Sequence, residues 1–131
     1  MEVEEIIDFL EDNDISEIKE LKSEEKYSIF NLFYDFDKEE LSAAKAYANE
    51  ESDVEEESDE WYRDWYLSYL YDVAKDNIEE ILEDMDEEFG TSSLAKIIVS
   101  DASNTEYVKF VVLICNENFE GEIEEILNDY L

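Results

Sequence analysis

Residues 58–90 read SDEWYRDWYLSYLYDVAKDNIEEILEDMDEEFG. At 100° per residue, Leu67, Leu70, Tyr71, Ala74, Ile78, Ile81, Leu82, Met85 and Phe89 fall on one side. That is the stripe of a long helix facing a core. Ser58 suits the N-cap, and Asp59 and Glu60 place negative charge where exposed N–H groups favour it. Gly90 stands where a left-handed residue would end the helix. The back of this helix changes character along its length. It carries Trp61, Tyr62, Trp65, Tyr66 and Tyr69 first, then Asp72, Asp76, Glu79, Glu80, Glu83, Asp86 and Glu87.

Immediately before it, residues 50–60 hold eight acids and no base. Like-charge blocks stay extended and solvated, so an acidic loop is expected there. Further upstream, Val3, Ile6, Ile7 and Leu10 have helical spacing, and Asp12-Asn13-Asp14 breaks it. Residues 15–21 read as a short helix. Residues 23–36, SEEKYSIFNLFYDF, look helical at the start, although the aromatic run 27–36 would suit a strand; helix is the reading adopted. Asp37 and Glu40 have capping-box spacing and open another helix with Leu41, Ala44 and Ala48 on its apolar edge. The expected N-terminal half, 1–49, is therefore helical.

After Gly90 the period changes. Residues 94–100 and 106–115 are β-branched and apolar, with DASNT between them, which signals a β-hairpin over about 94–115. Both faces of its second strand are apolar. An isolated hairpin is marginal, so it must lie on the central helix, gain a strand or pair across a homodimer. Residues 120–131 end the chain as a helix with Ile123, Ile126, Leu127 and Tyr130 inward. The expected fold is α+β, one domain over 1–131: helical N-terminal part, acidic loop, central helix, then hairpin plus helix over 91–131.

Composition bounds the chemistry. The 131 residues include 41 acids and nine bases, a formal net charge of −32. Hydrophobic content of 44% and aromatic content of 14% argue against simple disorder. Self-repulsion at this charge costs stability, so the charge is expected to serve more than solubility. Richness in Ile, Tyr and Phe with only two glycines reads as an AT-rich mesophile or phage gene more than as a halophile. No apolar run spans a membrane and the acidic start is no signal peptide. A single cysteine, Cys115, fits a reducing cytoplasm and reads as a small buried hydrophobe.

No histidine is present, which removes the commonest general base and metal ligand. No phosphate-binding glycine loop, nucleophile elbow or zinc spacing occurs. Asp12-Asn13-Asp14 begins like a calcium loop, but position six is Glu17 and position twelve Ser23, where glycine and glutamate are needed. No enzyme, cofactor or metal is expected.

Between Ala46 and Gly90 the only cations are Arg63 and Lys75, against eighteen acids. Direct binding of nucleic acid is therefore not expected. The opposite is. A helix of about 30 residues is about 45 Å long, and one DNA strand of that length carries about 13 phosphates. Residues 58–90 carry twelve carboxylates. In class the chain resembles the small acidic phage proteins that inhibit restriction or CRISPR nucleases by imitating nucleic acid. The resemblance lies in size and charge, and no residue roles are carried over from it.

The expected function is thus inhibition of a basic nucleic-acid-binding protein, such as a nuclease or defence complex, by steric and electrostatic competition. The expected contacts are Asp76, Glu79, Glu80, Glu83 and Glu87 on the helix back, with Glu55, Glu56 and Glu57 in the loop and Trp61 and Trp65 in the aromatic patch, whose other reading is a packing surface for the N-terminal helices. The other readings are an immunity protein or antitoxin against a basic nuclease toxin, which genetic neighbourhood would separate, and an acidic chaperone or adaptor for basic proteins.

Overall fold

The computed structural model describes residues 3–15, 17–98 and 107–131. Its element order corrects the expected layout. Helix α1 (Val3–Asp12) is followed by strands β1 (Glu17–Ser23) and β2 (Tyr27–Asp35), helix α2 (Lys38–Glu51), a π-helical segment (Trp61–Tyr66) running into α3 (Leu67–Phe89), strands β3 (Thr91–Ile98) and β4 (Tyr107–Asn116), and helix α4 (Ile123–Asn128). The chain is α+β, but the first half holds two strands, so it is not a helical half followed by a hairpin. The DASNT loop, 101–105, lies outside the described residues.

The four strands form one antiparallel sheet in the order β1-β2-β4-β3. β2 is the element that the helical reading of 23–36 missed. It pairs with β4 along its whole length, Tyr27 opposite Cys115 through Asp35 opposite Tyr107. Ser28, Ile29, Phe30, Asn31 and Leu32 are all buried. A strand covered on both faces reads as a continuous apolar run without the alternation that marks a half-exposed strand. β1 fails for another reason. Ile15, Ile18 and Leu21 have a spacing that suits a helix, but a helix of seven residues is marginal in water, and the ladder to β2 supplies backbone partners instead.

The Asp12-Asn13-Asp14 break is a Schellman end to α1. Asp14 is left-handed with φ 70°, Asp14 N–H donates to the Glu11 carbonyl and Ile15 N–H reaches back to that of Leu10. Leu10 and Ile15 are buried in the same cluster, the contact that accompanies this motif. The stretch that starts like a calcium loop is a helix stop. A left-handed backbone strains an L-residue, and a carboxylate opposes the negative end of the helix dipole. Asp14→Gly is expected to raise stability by ~0.5–1 kcal/mol, read as a higher urea midpoint with an unchanged slope.

The caps of the central elements follow from local chemistry. Asp37 Oδ1 accepts from Glu40 N–H at 2.7 Å, and Glu40 Oε1 accepts from Asp37 N–H at 3.0 Å. Ser58 Oγ accepts from Trp61 N–H at 3.2 Å. Gly90 closes α3 at φ 66° with its N–H on the Asp86 carbonyl. On α3, Leu67, Leu70, Ala74, Ile78, Leu82 and Met85 are buried. Ile81 is only half-buried, because it lies at the lip of a cleft beside α1.

Three apolar clusters hold the layers. α1 and α3 pack on one sheet face through Ile6, Leu10, Phe30, Ile78, Met85 and Phe110. α2 meets the aromatic head of the central helix through Ala44, Ala48, Trp61, Tyr66 and Leu70. On the other sheet face, Leu127 of α4 sits with Ile29, Val111, Leu113 and Cys115. The final helix is shorter than residues 120–131 suggested; Ile123, Ile126 and Tyr130 pack as half-buried neighbours. β4 gains β2 along its free edge, one of the solutions open to a marginal hairpin, and its two faces are covered by α1 and α3 on one side and α4 on the other.

Candidate functional site

The acidic back of α3 is its open side. Asp76, Glu79, Glu80, Glu83 and Glu87 are all exposed, at spacings that set them along one ridge. None of them forms an ion pair among the described residues; the four pairs there join Lys22 to Glu24, Lys45 to Glu56, Arg63 to Asp64 and Lys96 to Glu124. The ridge has two flanks. Glu80 lines a cleft toward α1 and α2, whereas Glu79 and Glu83 line a groove toward β3.

The other expected contacts do not join this ridge. Trp61 is 2% exposed, stacks on Tyr66 at 4.9 Å and donates from Nε1 to Asn49 Oδ1 at 3.0 Å. It is a core residue and leaves a partner no surface. The reason is the π-helical segment, closed by Leu67 N–H on the Tyr62 carbonyl five residues back. The wider turn brings residues five apart, Trp61 and Tyr66, to one side. A uniform 100° reading places them on the back. Trp65 is half-buried and borders Tyr47, which is 38% exposed, at 6.2 Å; Tyr69 lies 5.2 Å from the same ring.

In the loop, Glu56 is held by Lys45 at 3.3 Å and by Asn49 Nδ2 at 3.2 Å. These contacts push its carboxyl below the usual range, the Asn49 hydrogen bond first and Lys45 next. Glu55 and Glu57 are exposed, and Glu57 is left-handed at φ 67°. α2 runs to Glu51, so the loop is shorter than residues 50–60 suggested.

The charge is distributed unequally over the two sheet faces. Lys19 pairs across Asn31 and Val111 with Lys96 in one row, and Lys109 lies opposite Phe33 in the next. Val111 belongs to the cluster under α4, so these three cations stand on the face away from α3. Among the described residues, the acidic ridge thus has no cationic neighbour from the sheet.

The structure also assembles a feature that no single stretch shows. A cleft of about 410 Å³ is lined by Asp14, Asp35, Asp37, Glu40 and Glu80, with Tyr34 and Asn77. Tyr34 donates to Glu40 Oε2 at 2.6 Å, and Asn77 Nδ2 donates to the Tyr34 oxygen at 2.6 Å. Burial, followed by the bond to Glu40, pushes the Tyr34 phenol up to about 12. The raised value favours the neutral phenol in the fold, so its stabilising contribution is complete below about 10 and is lost as pH rises through about 12. In a spectrophotometric titration Tyr34 is expected among the last tyrosines to ionise, and Tyr34→Phe should remove a component near 12.

At the far end of α3, Asp86 accepts from Thr91 Oγ1 at 2.7 Å and Ser93 Oγ at 2.9 Å, latching β3 to the helix. Burial raises its pKa, opposed by these hydroxyls. Cys115 is a free, buried thiol, raised by burial and then by Asp86. Among the described residues no group of three or more potential ligands is placed to hold a metal ion, and no helix is long and apolar enough to cross a membrane.

No protein-family model matches this chain, and neither the curated proteins nor the solved structures contain a significant match to it.

Proposed function

We propose that the protein is an acidic inhibitor that occupies a basic nucleic-acid-binding site on a defence nuclease or similar complex, imitating the phosphate backbone. The observation that carries this reading is the ridge of α3. Asp76, Glu79, Glu80, Glu83 and Glu87 are exposed and form no ion pair among the described residues, and they lie on a helix whose other side is core. The five acids are spread over eleven residue steps, about 16 Å of helix axis, so about one charge per 4 Å, close to the axial step between charges on one nucleic-acid strand, ~3.4 Å. A basic groove would meet a preformed row of anions at little conformational cost. No turnover is involved. A cytoplasmic setting suits both such a partner and the free Cys115.

Affinity capture with the tagged protein from a bacterial lysate, followed by mass spectrometry and competition against the captured protein's own nucleic acid, tests this reading. The expected outcome is one dominant basic partner, displaced by DNA or RNA and released as salt rises, since exposed charges are screened within ~8–10 Å at 0.1–0.15 M. The same salt should raise the melting temperature of the free protein, because it relieves self-repulsion at a net charge of −32. A gel shift of the protein with ordinary duplex or single-stranded DNA at physiological salt should be blank. A specific shift, or a partner that nucleic acid does not displace, overturns the proposal.

A further inference from the structure

The two edges of the sheet are built differently. β1, EIKELKS, has four charged residues in seven and a register break between Glu20 and Lys22. Charges and bulges are how edge strands avoid pairing with other chains. β3, TSSLAKII, has one charge in eight and runs in unbroken register with β4 from Thr91 opposite Asn116 to Ile98 opposite Lys109. Every second residue of β3 turns its N–H and C=O away from β4, and no described strand takes them.

Beside this edge lies a groove of about 230 Å³ between α3 and β3, lined by Glu79, Leu82, Glu83, Asp86, Ser93, Leu94 and Ala95. A strand added to β3 would send alternate side chains toward α3, where Glu79 and Glu83 are exposed and form no ion pair among the described residues. Its other side chains would continue the row of Leu94, Lys96 and Ile98, in which Leu94 and Ile98 are half-buried against the α4-side cluster and the Lys96 ammonium is engaged by Glu124 and Asn128 of α4. The complementary sequence therefore alternates basic with apolar residues.

We infer that the β3 edge is a docking site for an extended segment of a partner protein with alternating basic and apolar residues, bound by strand addition to the sheet. A second copy of this chain fits poorly. Pairing of two β3 edges about a dyad would set both α3 helices on the same face of the joined sheet, Glu79 and Glu83 toward their equivalents, at a net charge of −32 per copy. The inference stands apart from imitation of nucleic acid, since backbone pairing and not phosphate mimicry supplies the register.

An octapeptide alternating lysine and valine is the probe, with amide exchange followed residue by residue by NMR in the full chain. With peptide in excess, the outward amides of β3 are expected to exchange at least tenfold more slowly, with no change along β1. The same peptide N-methylated at every amide keeps its charge but cannot pair, and should give no protection. A glutamate–valine octapeptide should give none either. Protection by the N-methylated or acidic peptide, protection at β1, or no protection by the lysine–valine peptide overturns the inference. So does concentration-dependent protection of β3 without peptide, which would assign the edge to a second copy. Reversing Asp76, Glu80 and Glu87 to lysine leaves Glu79 and Glu83 of the groove intact. That variant should still bind the peptide even where it loses the nucleic-acid-binding partner, which separates failure of one proposal from failure of the other.

Discussion

Replacing Glu79, Glu83 and Glu87 together with lysine is expected to leave the protein folded and to weaken binding of the basic partner by at least ~100-fold, about 2.7 kcal/mol. All three carboxylates are exposed and make no ion pair among the described residues, so the fold loses nothing when they change. Removing negative charge from a chain at −32 should, if anything, raise the melting temperature. At the interface, cation would face cation. Like charges brought together across a docked surface cost several kcal/mol and slow association most. Thermal melting and partner affinity for the same variant check both halves. A variant that melts like the parent and binds as tightly would leave the ridge a solvated surface. Attention would then move to Glu55, Glu57 and the Tyr47–Trp65–Tyr69 patch.

Phe110→Ala is expected to do the reverse, costing ~3–5 kcal/mol of stability while leaving the exposed ridge chemically intact. Phe110 is 1% exposed in β4, opposite Leu32 on one side and Ile97 on the other. Its ring sits in the main core with Ile78, Leu82 and Met85, so truncation leaves a cavity that a four-stranded sheet cannot close. Since domains of this size are stable by only ~5–15 kcal/mol, the loss is a large fraction of the total. Leu82→Ala, 4% exposed, belongs in the same class at ~2–5 kcal/mol. Ile81→Ala should cost less, because Ile81 borders solvent at the cleft. Urea unfolding of the three variants checks the order; an Ile81→Ala as damaging as Phe110→Ala would refute this account of the core.

Local chemistry was legible residue by residue. The Asp37–Glu40 capping box, the left-handed Gly90, the Ser58 cap and the buried stripe Leu70, Ala74, Ile78, Leu82 and Met85 each depend on a few neighbours in the chain, so the sequence alone carries them. The charge carries a second message by itself: 41 acids against nine bases make the surface anionic in any fold. Long-range pairing decided the rest. Residues 27–35 became a strand because β4, some 80 positions later, pairs with them from Tyr27–Cys115 to Asp35–Tyr107. Propensity within a ten-residue window cannot register that partner. Trp61 moved from the back of the helix to its core side because the π-helical turn changed the residue spacing, which periodicity analysis assumes to be constant. The acidic cleft brings Asp14, Asp35, Glu40 and Glu80 together from four elements and connections, and the free edge of β3 exists only because β3 is outermost among the described strands. Both are properties of packing order, and packing order is settled by which apolar faces meet, not by any segment taken alone.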